Sequence, residues 1–162
     1  MTRVVVTGMG WVTPLGHDLD SVWARMCASE SAIEPIDRFD ASSFPTTFAG
    51  QVREYDWTTF VKDPSVHHAP AMNSQFALGA AKQAWEQSRL GDCNTLDPDR
   101  MGIYMGAGEG VLDFSAHSMI DTHSWDVEDG MVDPVAWATF AREQLDEWGE
   151  VEQEPNMPLW HV

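Results

Sequence analysis

The chain has 162 residues, 43% of them hydrophobic and 22% charged, the composition of one ordinary globular domain long enough to bury a core. Its net charge of −17, with nine Lys and Arg, excludes a phosphate-gripping nucleic-acid binder and a partner for anionic membrane surfaces. No apolar run approaches the ~20 residues of a membrane span, and no basic-then-apolar leader opens the sequence, so the expected compartment is the cytoplasm.

Arg3 to Thr7, RVVVT, is a continuous β-branched run ending at Gly8 and predicts a buried strand. Asp18 or Asp20 can cap the helix that follows, in which Val22, Trp23, Met26 and Cys27 recur at helical spacing. After Ser29 the periodicity is lost in a turn-rich connection, and Phe48 to Val52 predicts a short strand weakened by Gly50. Asn73 to Arg89 predicts a helix capped by Asn73 or Ser74. Its stripe of Phe76, Ala77, Ala80, Ala81, Ala84 and Trp85 is small enough for close packing. Met101 to Met105 predicts a second buried strand, parallel to the first, running into Gly106, Gly108 and Gly110. Beyond it, Val111 to Thr122 reads as helical. Pro134 opens a helix that continues to Trp148 and stops at Gly149. Glu150 to Glu154 reads as a charged linker, and Pro155 to Val162 as the start of an element the chain does not finish.

From Glu109 to Glu154 there are thirteen acids against one base, Arg142. Such a run is a solvated surface or a face for a basic partner, and the solvated state is the commoner. Cys27 and Cys93 are too few for a disulfide framework and read as free thiols, with Cys27 a small buried residue of the first helix. Gly8, Gly10 and Gly16 after a strand invite a dinucleotide reading. The close-packing glycine that motif needs is replaced by Thr13, followed by Pro14, so no such cofactor is implied. His117, Asp121 and His123 have zinc-like spacing but no thiolate pair to complete a site, and a polar helix surface accounts for them.

The ordered set of motifs carries more. RVVVTGMGWVTPLGHDLDSVWARMCASESAI is similar to the opening of the elongating β-ketoacyl-acyl-carrier-protein synthases. Phe39-Asp40, Phe44-Pro45 and Phe48-Ala49-Gly50 resemble that family's next stretch, and Gln75-Phe76-Ala77-Leu78 its QFAL helix. Asp97-Pro98-Asp99-Arg100 through Gly110, and Pro155-Asn156-Met157 with His161-Val162, resemble two later segments. The agreement spans the chain except about 111–154, which reads as an acidic, divergent insertion in a partial ketosynthase N-terminal domain covering residues 1–162.

The resemblance implies an α/β, thiolase-like fold, incomplete here, with a parallel-rich sheet and packed helices. It implies decarboxylative Claisen condensation of an acyl thioester with malonyl-carrier protein, in fatty-acid or polyketide synthesis, with no cofactor. The family's nucleophilic cysteine lies beyond the His161-Val162 position and its two histidines and lysine lie later still. No catalytic residue is therefore expected in this chain, and it should be inactive in isolation. The substrate-pocket candidates are Gly108, Glu109, Asn156 and Met157. Glu109 stands where the family usually has an apolar pocket residue, and an acid there is costly to desolvate beside an alkyl chain. The implied partners are an acyl carrier protein and a second ketosynthase-like chain, as homodimer or heterodimer. Family members often carry basic residues before the QFAL helix. Here that stretch is SVHHAPAMNS, with His67 and His68 and no Arg between Lys62 and Lys82, which weakens the match to an acidic carrier. A non-catalytic, chain-length-factor-like subunit is the alternative.

Overall fold

The computed structural model describes residues 3–108 and 112–162. They form two compact units. The first comprises Met1–Pro64, Gln75–Ile103 and Val162, and the second Ser65–Ser74 and Tyr104–His161.

In the first unit, helix α1 (Leu19–Cys27) starts at Asp18, whose backbone is extended and whose carboxylate accepts the Ser21 N–H at 2.9 Å. The Ser21 hydroxyl, and then that N–H, hold the Asp18 carboxyl below the usual range. The cap is complete above about pH 3.9, the value of a free Asp, and weakens as pH falls toward the lower folded value. α1 buries Val22 but leaves Trp23, Met26 and Cys27 exposed, so the expected apolar stripe is narrower than its spacing suggested. Strand β1 (Ile33–Pro35) lies within the stretch read as turns. It pairs antiparallel with β2 (Phe48–Gly50), which is shorter than the predicted Phe48–Val52. Three-residue strands have no period for a sequence to display.

Helix α2 (Met72–Ser88) organises the rest of the first unit from Gln75 onward. The backbone at Gly8 and Gly10 lies against it so closely that an added Cβ would collide with the carbonyl oxygens of Ala84 and Ala80 respectively. Small residues are needed on both sides of such a contact. Gln83 fixes the register, its amide donating to the carbonyls of Trp11 at 3.1 Å and His17 at 2.9 Å, while Gln87 Oε1 accepts from the Met9 N–H at 2.7 Å. The Tyr55 hydroxyl donates to the Gln75 carbonyl at 2.8 Å, with its ring stacked on Phe60 and edge-on to His17 and Phe76. Burial pushes that hydroxyl above its ordinary value. The Ala-rich stripe therefore does pack closely, against the Gly8–Val12 stretch and Tyr55.

In the second unit, helix α3 (Phe114–His123) packs on α4 (Pro134–Gln144), with a hairpin of β3 (Trp125–Asp126) and β4 (Met131–Val132) between them. Ile120 is fully buried and contributes about 1.5–3 kcal/mol. His123 stacks on Phe140 at 4.0 Å, and Trp137 donates to Asp121 at 2.7 Å. The hairpin turn is set by the Asp126 carboxylate, which accepts from Glu128 and Asp129, and by Gly130 at φ +65°. Asp133 caps α4 with Pro134 at its start, as the sequence predicts. α4 ends at Gln144 rather than Trp148, because Leu145 turns extended and Asp146 caps a separate helix, α5 (Glu147–Val151). That helix takes the first part of the expected charged linker. α6 (Met157–His161) forms from the Pro155 segment.

One expectation is corrected. Neither Arg3–Thr7 nor Met101–Met105 forms a strand, and the expected parallel pair is absent among the described residues, whose sheets are antiparallel. A β-branched run becomes a strand where a neighbour accepts its backbone hydrogen bonds. Neither segment has one here, and Val4 and Val6 remain 95% and 80% exposed. α2 accordingly packs on the Gly8–Val12 stretch, and no sheet lies beneath it among the described residues.

Candidate functional site

Of the four pocket candidates, Glu109 lies outside the described residues. Gly108 is exposed, with open space where a Cβ would stand, and its carbonyl accepts from the Asn73 amide at 3.4 Å. Asn156 is exposed and uses its carbonyl to accept from Leu159 and Trp160, starting α6. Met157, the first residue of α6, is buried. Among the described residues no hydrogen bond joins Gly108 to Asn156 or Met157. An open groove of ≈ 620 Å³ runs along α4, lined by Pro134, Val135, Ala138, Thr139, Arg142 and Glu143, and Gly108, Asn156 and Met157 are not among its lining residues.

The second unit holds a polar constellation that the sequence did not reveal. The side chain of His161 is fully buried, and its Nε2 lies 2.6 Å from Oε1 of Glu152, itself 5% exposed. Its Nδ1 lies 3.0 Å from Nδ1 of His67. The other Glu152 oxygen accepts the Ala71 N–H at 3.0 Å, just ahead of α2. A carboxylate is well placed there, at the positive end of a helix. α2 begins at Met72, so Asn73 and Ser74 lie inside its first turn and not ahead of it as caps. Beside this chain His68 stacks on Trp148 at 4.5 Å. His67 and His68, which fill the stretch where the resemblance leads one to expect docking cations, thus face side chains of their own unit. Glu152 and His161 are nine residues apart and His67 and His161 ninety-four, so no local spacing announces the group.

Both cysteines are exposed, which corrects the buried reading of Cys27. The Cys93 thiol is held below its ordinary value by the Thr95 hydroxyl and then the Thr95 N–H. More thiolate means faster alkylation. Iodoacetamide should modify Cys93 before Cys27, and Thr95→Val should narrow the gap. Equal rates in the native protein would contradict this environment. Among the described residues no three His, Cys, Asp or Glu side chains gather to hold a metal ion. Among the described residues no helix is long and apolar enough to cross a membrane.

Comparison with known proteins places these features in a family. The model of the beta-ketoacyl synthase N-terminal domain matches residues 1–137. The chain is 42% identical over 110 residues to a 3-oxoacyl-acyl-carrier-protein synthase 2 of Coxiella burnetii, covering 68% of this chain and 26% of that protein. It is 38% identical over 112 residues to the chloroplastic 3-oxoacyl-acyl-carrier-protein synthase I of Arabidopsis thaliana, covering 68% of this chain and 24% of that one. The chain therefore spans about a quarter of the length of the curated relatives it matches. Among solved structures, the ishigamide ketosynthase/chain length factor matches with a TM-score of 0.50 at 24% identity, over 88% of this chain and 37% of the other. At that identity the likeness speaks for a shared, thiolase-like fold.

Proposed function

Because the chain belongs to the β-ketoacyl synthase family, we propose that it supplies the N-terminal part of a 3-oxoacyl-acyl-carrier-protein synthase. The whole protein would condense an acyl thioester with malonyl-carrier protein in fatty-acid or polyketide synthesis. The observation that carries this reading is the family match over residues 1–137, which runs through the glycine, QFAL and DP-R motifs in order.

The chemistry divides between this chain and the rest of the enzyme. A thiolate takes the acyl group from its carrier, malonyl loses carbon dioxide, and the resulting enolate attacks the acyl thioester and releases the thiolate. The nucleophile and its histidines belong to positions beyond Val162. This chain's part is to shape the approach, with Gly108, Glu109, Asn156 and Met157 as the residues bordering the pocket and the partner chain. Residues 111–154 act as an acidic insertion on that scaffold, in a cytoplasmic protein.

A second reading is a chain-length-factor-like subunit that pairs with an active synthase. It is favoured by the SVHHAPAMNS stretch, which offers no arginine and whose histidines face His161 and Trp148 within their own unit. Carrier docking through that stretch would be weak.

The test is to isolate the native assembly that contains this sequence and assay condensation of an acyl-carrier protein with malonyl-carrier protein. Turnover that is lost on substituting a cysteine beyond residue 162 supports the synthase. An assembly whose turnover depends wholly on a different chain supports the partner subunit, and absence of any ketosynthase activity overturns both.

A further inference from the structure

We propose that the outer face of α4 is a docking trough for a helix of a partner protein, one that carries an apolar stripe flanked by lysine or arginine. Helix α4 turns one side inward, where Trp137 donates to Asp121, Phe140 stacks on His123 and Ala141 is buried. Pro134, Val135, Ala138, Thr139 and Arg142, three and four residues apart, fall on another side and line the open groove of ≈ 620 Å³. A second open groove, of ≈ 420 Å³, shares Ala138 and Arg142 with the first and continues past Leu145 to Glu147 and Glu150 of α5. The two make one trough, with Val135 73% exposed at its head. The eleven residues of α4 run for about 16 Å, room for about three turns of a second helix laid along it.

Charge along the trough selects the occupant. Its lining carries Glu143, Glu147 and Glu150 against Arg142. Among the described residues Glu143, Glu147 and Arg142 make no ion pair. The stretch that contains them, Glu109 to Glu154, holds thirteen acids and this one base. A chain of net charge −17 repels a second copy of itself, and it repels an acidic carrier protein. A cationic amphipathic helix meets the opposite condition. Its stripe covers Val135, Ala138 and Leu145 while its long basic side chains reach the glutamates at the rim. The trough also lies largely past the family match, which ends at residue 137, so the proposal does not rest on the synthase reading.

The experiment is fluorescence anisotropy on the 162-residue chain with three labelled synthetic peptides of about 18 residues, long enough to hold a helix. One is a lysine helix with a leucine stripe, one has the same residues scrambled so that no stripe forms, and one is the striped helix with glutamate for every lysine. The striped lysine peptide should bind at least about tenfold more tightly than either control, and more weakly as salt rises from about 50 to about 300 mM. Val135→Lys should weaken it by about tenfold. Val127→Lys, an equal change of charge at an exposed site outside the trough, should weaken it by less than about twofold. Equal binding of the scrambled peptide would reduce the face to diffuse charge, and equal binding of the glutamate peptide to indiscriminate apolar contact. Either result overturns the proposal, as do equal losses in the two variants or no binding by any peptide. Sedimentation showing a dimer that Val135→Lys disperses would give the trough to a second copy, and overturns it likewise. Should Val135→Lys fail to fold, the three peptides on wild type decide by themselves. No readout involves condensation, so failure of the docking trough and failure of the synthase reading are told apart.

Discussion

Replacing Gly10 by alanine is expected to destabilise the first unit by about 3 kcal/mol, the upper end of ordinary overpacking. The new methyl would collide with the Ala80 carbonyl oxygen and stand 2.8 Å from Gln83 Cβ. Both obstacles belong to α2 at or next to the backbone, so no flexible side chain can swing away. Relief requires the Gly8–Val12 stretch to lift from the helix, and lifting it breaks the hydrogen bonds from the Gln83 amide to the Trp11 carbonyl and from the Met9 N–H to Gln87. Gly8→Ala should behave alike, meeting the Ala84 carbonyl and the Ser88 nitrogen at 2.9 Å. The control is Gly106→Ala, where the methyl meets nothing within 4 Å and the change should stay within about 0.5 kcal/mol. Urea midpoints for the three variants check the ranking. Equal loss at Gly10 and Gly106 would mean that the close approach to α2 contributes nothing.

Glu152→Ala should cost about 3 kcal/mol, because it strands two donors, the Ala71 N–H and His161 Nε2–H, each worth roughly 1–3 kcal/mol when buried without a partner. Glu152→Gln separates geometry from volume. A glutamine has one acceptor oxygen for two donors, so its amide NH₂ faces either the Ala71 N–H or His161 Nε2, which must then move its proton to Nδ1 in order to accept. It should recover part of the loss at most. Thermal melts of the two variants at pH 7 measure this, and a Glu152→Gln protein as stable as wild type would show that one of the two contacts is dispensable.

The parts of the fold that were legible in the sequence are those whose cause is local. Asp18 before α1 and Asp133-Pro134 before α4 announce helix starts by chemistry that acts within three residues. The Ala-rich stripe of α2 announced close packing, although not that its counterpart would be Gly8 and Gly10. What failed depends on partners distant in sequence. Arg3–Thr7 has the composition of a strand, but strand formation is decided by a neighbour that composition does not display. β1, three residues long, was hidden in a turn-rich stretch for the opposite reason: its partner β2 supplies what its own sequence lacks. The motifs singled out Gly108, Asn156 and Met157 as pocket candidates, and among the described residues no hydrogen bond joins Gly108 to the other two. The buried Glu152 and His161 read as a linker acid and a motif histidine, because only folding brings residues 67, 152 and 161 together.

The measurement that bears most directly on the central claim is decarboxylation of malonyl-carrier protein by the purified 162-residue chain, with and without an acyl-carrier protein. If this sequence is the N-terminal part of a synthase whose nucleophile and histidines lie beyond Val162, carbon dioxide release stays at the uncatalysed rate, and Cys27→Ser and Cys93→Ser change nothing. Catalytic release of carbon dioxide that either substitution abolishes would contradict the account, for it would place the reacting thiol within the residues described here.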